Sequence, residues 1–248
     1  MFVFSSGRIA TLAVESIATV EALDWAHAAL PQEPRGGETL ACLSPISSMA
    51  LADFILQASR RGFVKKVMTS LAPSVLNKHY IGTGATIQGD RTHTLALCGK
   101  DDQLVMVSRD GYLLGLDVRD LPFSAEEAFR LGALDGLASV FVRQPGQAIL
   151  VMTQVGKIIH WAADRLEISH SLKAKGQSLY SAQRRDRGVR VVGAAAIGEG
   201  DWAVALHGDG RLTAHAVRSL IDEGAIAVGG ELLDFALALR AGKMSVKE

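Results

Sequence analysis

Five times along the chain, a short apolar run enters a tight glycine-bearing turn and a second run leaves it. The clearest copy spans residues 104–118, where Ser108-Arg109-Asp110-Gly111 separates the two runs. Asp-Gly is a strong hairpin signal, because glycine accepts the positive φ that a two-residue turn demands. The second run stops at Leu121-Pro122, since proline cannot donate to a ladder. The other copies centre on Gly7, Gly62, Gly156 and Gly210, so successive anchors lie 55, 49, 45 and 54 residues apart. A period near fifty residues lies in the range of propeller-type blades.

Each hairpin is followed by a polar loop and a further apolar run, at residues 40–43, 94–97, 138–142 and 191–196. Turns such as Gly99-Lys100-Asp101-Asp102 and Gly198-Glu199-Gly200-Asp201 lead into the next copy. The expected fold is all-β: one propeller-like domain over 1–248, of about five four-stranded blades, with room for a closing sixth or incomplete blade. The hairpin units fall near 2–17, 54–73, 104–122, 148–168 and 202–220. Radial repetition of this kind leaves only short sheet edges exposed.

Three stretches depart from the repeat. Residues 19–30 read as a short helix ended before Pro31. Ser124 with Glu127 looks like a capping box and predicts a helical turn over 124–131. Residues 232–239 fit either a helix or a last strand closing the ring on the first unit, because periodicity does not separate the two. The tail from Lys243 is expected to fray.

Basic and acidic residues balance at 26 each. A dedicated nucleic-acid binder is usually more basic, so any phosphate contact must come from a local patch. Two such patches stand out. Arg60-Arg61-Gly62-Phe63-Val64-Lys65-Lys66 is the densest; side chains alternate along a strand, so Lys65 and Lys66 cannot share a face. In the second, Arg184, Arg185, Arg187 and Arg190 place four guanidinium forks within seven residues of a loop, with Lys173 and Lys175 upstream. Such forks match phosphate oxygens. Lys78 and Arg91 add charge in another inter-blade connection.

Catalytic chemistry has no candidate constellation. The seven histidines do not pair at metal-ligand spacing, and no phosphate-binding glycine loop or nucleophile elbow follows a strand. Asp117 and Asp120 occur in one unit only. Cys42 and Cys98 read as buried thiols in strand-like runs, with no disulfide framework or zinc spacing. The expectation is therefore a non-enzyme without cofactor or metal. No signal peptide or membrane-spanning run is read, which places the chain in the cytoplasm.

The hairpin Ser59-Arg60-Arg61-Gly62-Phe63-Val64-Lys65-Lys66 resembles the C-terminal domain of the A subunit of DNA gyrase and topoisomerase IV. So does Val107-Ser108-Arg109-Asp110-Gly111-Tyr112 with its trailing Asp117-Val118-Arg119-Asp120-Leu121-Pro122. Arg187-Gly188-Val189-Arg190 followed by Gly200-Asp201 is similar to an inter-blade segment of the same family. The resemblance implies a β-pinwheel, a disc whose blades exchange strands. It also implies a non-catalytic domain whose basic rim bends double-stranded DNA without sequence preference and presents it to a separate cleavage core. The basic residues named above would then be its DNA contacts, and the domain would be nucleoid-associated. The gyrase box of the Gln-Arg-Arg-Gly-Gly-Lys-Gly type is missing: Gln183-Arg184-Arg185-Asp186-Arg187-Gly188 is the nearest stretch, and it lies late in the chain. A topoisomerase IV-like domain, or a degenerate stand-alone pinwheel serving as a protein-interaction module, fits the residues as well as a gyrase-like one.

Overall fold

In the computed structural model, residues 1–16, 34–228 and 230–238 are described. The proposed helix over 19–30 and the tail from Lys243 lie outside them. Each hairpin glycine sits at its turn with positive φ, 84° at Gly62 and 81° at Gly111 among them.

The described strands form five sheets. Blade 1 contains β1 (Phe2–Phe4), β2 (Ile9–Ala10) and β3 (Leu40–Leu43), in the order β2-β1-β3. Blade 2 contains β4 (Phe54–Ser59), β5 (Phe63–Met68) and β6 (Thr92–Cys98). Blade 3 contains β7 (Gln103–Ser108), β8 (Tyr112–Asp117) and β10 (Leu137–Arg143). Blade 4 contains β11 (Ala148–Thr153), β12 (Ile158–Trp161) and β15 (Val191–Ile197). Blade 5 contains β16 (Trp202–His207), β17 (Leu212–Ala216) and β18 (Leu232–Ala238). In every blade the third strand returns to pair antiparallel with the first strand of its own hairpin.

In blades 2 and 3 the expected fourth strand comes from the neighbouring unit. The connection after β8 carries β9 (Glu126–Glu127), which pairs with β5 of blade 2. The connection after β12 carries β13 (Ile168–Ser169) and β14 (Gln177–Ser178), both paired with β8 of blade 3. In two other places the exchange shrinks to one bridge: Tyr80 reaches Arg8 of blade 1, and Ala225 reaches Lys157 of blade 4. Strand exchange of this kind is the β-pinwheel arrangement.

The exchange explains the failed helix over 124–131. Glu126 and Glu127 extend along β5, and Phe129 continues by bridging to Ala174. Ser124 bonds weakly to Glu126 at 3.5 Å and caps nothing. Residues 232–238 are a strand, but they pair with β16 of their own blade rather than with the first unit. Among the described residues, three short α-helices that the sequence pattern does not show lie within connections: α1 (Ala72–Lys78), α2 (Ala182–Asp186) and α3 (Val217–Glu223).

Alternation along the strands supplies the core. Leu104 and Met106 pack toward blade 2, while Val105 and Val107 pack toward blade 4. A blade sandwiched between two others is buried on both faces, which is why β7 reads as an unbroken apolar run. The same logic joins blades 1 and 2 through Val3, Ile55 and Leu95, and blades 4 and 5 through Leu150, Met152 and Ala203. The return strands β3, β6, β10, β15 and β18 pack on one another in that order, so they form the inner side. The exchange segments lie at the opposite, outer ends of the sheets.

One backbone device repeats from blade to blade. The peptide unit Gly136–Leu137 accepts from the Arg109 amide at 2.9 Å and donates to the Arg60 carbonyl at 3.2 Å. Arg91–Thr92 does the same between Arg60 and Ser5, Arg190–Val191 between Gln154 and Arg109, and Glu231–Leu232 between Gly208 and Gln154. Four peptide units thus tie five successive hairpin turns in a row.

Candidate nucleic-acid interface

The basic segments fold into two groups. The first lies on the outer side of blade 3. Ala174 accepts from the Arg130 amide at 2.9 Å, which sets exposed Lys173 and Lys175 beside exposed Arg130. Lys173 adopts a left-handed φ of 59° there. The Lys175 ammonium lies 5.4 Å from the Tyr112 ring centre, and the Arg185 guanidinium lies 4.6 Å from the same ring. Arg185 also bonds Ser178 Oγ and the Tyr180 carbonyl. It is therefore a structural strut that fastens α2 to β8, with its charge stacked on an aromatic face.

The sequence predicts a loop around Arg184; the structure has the helical turn α2, preceded by Ser181. The turn is held from below by Tyr180, whose hydroxyl donates to the Val189 carbonyl at 3.0 Å. Burial pushes the Tyr180 hydroxyl up to about 12, so it keeps its proton and remains a donor. Arg184 and Arg187 project from this turn, exposed, with no side-chain partner among the described residues. Together with Arg130, Lys173 and Lys175 they make the outer basic stripe.

The second group lies at the hairpin-turn ends of blades 2 to 4. Arg60, Arg61, Arg91 and Arg109 line one cavity of about 420 Å³. Arg60, Arg109 and Arg190 line an adjoining one of about 470 Å³. Arg61 turns back onto the carbonyls of Gly132, Ala133 and Asp135. Arg91 reaches the Gly37 carbonyl at 2.8 Å. Arg190 pairs with Asp110 at 3.1 Å and bonds the carbonyls of Arg185 and Val189. Arg109, which the sequence reading passed over, belongs to this group. Arg130 was likewise missed in the first.

On β5, Lys66 is buried and Lys65 half-buried. Lys66 is only 4% exposed. Its ammonium bonds the carbonyls of Val118 at 3.0 Å and Arg119 at 2.7 Å, and lies 4.9 Å and 5.0 Å from the rings of Phe54 and Phe123. Lys65 takes the other face of β5 and bonds the Gly82 carbonyl. Burial lowers the pKa of both ammonium groups. Lys66 is thus withdrawn from the surface set: the fold uses its charge to fasten two blades. Lys78, at the end of α1, is exposed and separate from both groups.

Of the histidines, His170 comes near Asp117 and Asp120, with one possible ligand atom of each within 4.8 Å of the others. This juxtaposition crosses from blade 4's connection to blade 3 and is invisible in sequence spacing. Cys98 is buried and Cys42 partly so, and burial pushes their thiols up to about 12 and about 11. No described helix is long and apolar enough to cross a membrane.

No protein-family model matches the sequence, and no curated protein matches it. Solved structures do match the fold. The C-terminal domain of DNA topoisomerase IV aligns with a TM-score of 0.64 at 16% identity, over 83% of this chain and 68% of that one. The DNA gyrase A C-terminal domain aligns with a TM-score of 0.68 at 9% identity, over 96% and 81%. The E. coli ParC C-terminal domain aligns with a TM-score of 0.63 at 12% identity, over 96% and 97%. The chain has the β-pinwheel fold of these C-terminal domains.

Proposed function

We propose that this chain is a non-catalytic DNA-binding and bending domain of the type found on type IIA topoisomerase A subunits. The observation that carries the reading is the outer stripe of Arg130, Lys173, Lys175, Arg184 and Arg187 on a pinwheel. Charges on a curved edge neutralise successive phosphates and release counterions, and that gain offsets the elastic cost of bending a duplex. Contacts to phosphates alone carry no base information, so binding is sequence-tolerant. The partners are double-stranded DNA and the cleavage core of a topoisomerase, in the nucleoid-bearing cytoplasm.

The zero net charge and the internal use of Arg61, Lys65, Lys66, Arg185 and Arg190 favour a second reading, a pinwheel kept as a protein-interaction module. A fluorescence-anisotropy titration of a labelled linear duplex at low salt separates the two. Saturable binding that weakens steeply with added salt supports the DNA reading. Absence of binding at low ionic strength leaves the interaction module.

A further inference from the structure

Arg60 and Arg109 occupy equivalent positions in blades 2 and 3, one residue after the serine that ends each first strand. Both are exposed, and neither guanidinium has a hydrogen-bond or ion-pair partner among the described residues. Their backbones are clamped to the two sides of the Gly136–Leu137 peptide unit, so the two forks are presented from a fixed frame. Both line each of the two adjoining cavities, which also take in Arg91 and Arg190.

The carboxylates nearby are mostly engaged. Asp90 accepts from Ser59 Oγ and the amides of Arg61 and Arg91. Asp135 accepts from the amides of Asp110 and Gly136, and Asp110 pairs with Arg190. Glu231 is the other acid on the lining. Two unpaired guanidiniums facing one recess repel each other, and an anion bound between them removes that repulsion.

We propose that this recess, lined from blades 2 to 5, binds a compact polyphosphate, with Arg60 and Arg109 as its two forks. Guanidinium forks match pairs of phosphate oxygens. Cavities of about 420 and 470 Å³ suit a small ligand. A recess of this size admits a small anion but not a duplex, which the open outer stripe suits better. This inference goes beyond the DNA reading and does not depend on it.

The test is calorimetric titration of inorganic tripolyphosphate into the full chain at low ionic strength, without DNA. One saturable site is expected. The double variant Arg60→Gln/Arg109→Gln should weaken it at least tenfold, and Lys173→Gln/Arg184→Gln on the outer stripe should leave it within twofold. Arg109→Lys keeps charge but loses the fork, and should give an intermediate loss with unchanged thermal stability. ATP binding as tightly as tripolyphosphate assigns the site to the phosphate chain; tighter ATP binding assigns it to a nucleotide. No saturable binding, equal loss in both double variants, or no loss in Arg60→Gln/Arg109→Gln overturns the proposal. Failure of the outer stripe to bind duplex leaves this result untouched.

Discussion

The Tyr180 ring occupies the space that any side chain at Gly111 would need: a Cβ there would come within 2.3 Å of the phenol carbon. Gly111 belongs to the blade 3 hairpin and Tyr180 to the connection of blade 4. The turn and the exchange are therefore one contact, and the Leu179 amide seals it on the Gly111 carbonyl at 2.9 Å. The same closeness recurs where Gly62 meets Phe129 and Gly156 meets Ile226.

Gly111→Ala is expected to destabilise the fold by about 2–5 kcal/mol, adding left-handed strain to overpacking. Because Tyr180 supports α2, the variant should also loosen the turn that carries Arg184. Chemical denaturation measures the first effect, and proteolysis near Arg184 and Arg185 the second. A stability loss below about 1 kcal/mol would show that the docking is soft.

Lys66 and the outer stripe should separate stability from binding. Lys66→Ala removes two charge-assisted bonds between blades and leaves the Arg119 carbonyl without its donor, while Val118 still accepts from the Leu121 amide, an expected cost of about 2 kcal/mol or about 4–8 °C in Tm. Its duplex affinity should stay within twofold, since the ammonium is not at the surface. Differential scanning calorimetry beside an anisotropy titration checks both halves. Lost affinity with unchanged Tm would return Lys66 to the interface.

These residues also show what a sequence can and cannot disclose. The hairpins were legible because Gly62 and Gly111 need a positive φ between apolar runs, and that signal is local. Strand exchange was legible only through the family resemblance and not from local pattern, because β9 is two glutamates long and two residues carry no periodicity. The capping-box reading of Ser124 and Glu127 failed for the same reason: the docking edge of β5 overrode a local preference. Alternation said that Lys65 and Lys66 point to opposite faces, but which one points inward depends on Phe123 and Val118, far along the chain. Arg109 was passed over because Asp110 and Asp117 make its unit look acidic, yet Asp110 is neutralised by Arg190 of another blade.

His93 should make stability depend on pH. Burial is the main cause holding its imidazole down at about 4, and Arg60 adds to the effect. A histidine whose folded pKa lies below its unfolded value near 6.5 leaves the unfolded chain holding more protons at intermediate pH. Its contribution is therefore fully present above about pH 6.5 and is lost as pH falls toward 4. His93→Gln should flatten the wild-type decline over that window in urea melts at stepped pH. An identical slope in both proteins would place the titrating group elsewhere.

Salt dependence gives the sharpest reading of the outer stripe. If Arg184 and Arg187 each neutralise one phosphate, their joint replacement by glutamine removes two counterion-releasing contacts. The slope of log K against log salt should then fall in magnitude by about two, evenly across unrelated duplex sequences. Arg185→Gln should behave differently. Its guanidinium stacks on Tyr112 and fastens α2, so the loss should appear first in thermal stability and in α2 mobility. Anisotropy titrations from about 50 to 200 mM salt on two duplexes of different sequence measure the slopes. An unchanged slope for Arg184→Gln/Arg187→Gln would exclude the α2 turn from the DNA path. A loss confined to one duplex would mean base contacts, which a stripe of phosphate-directed charges does not provide.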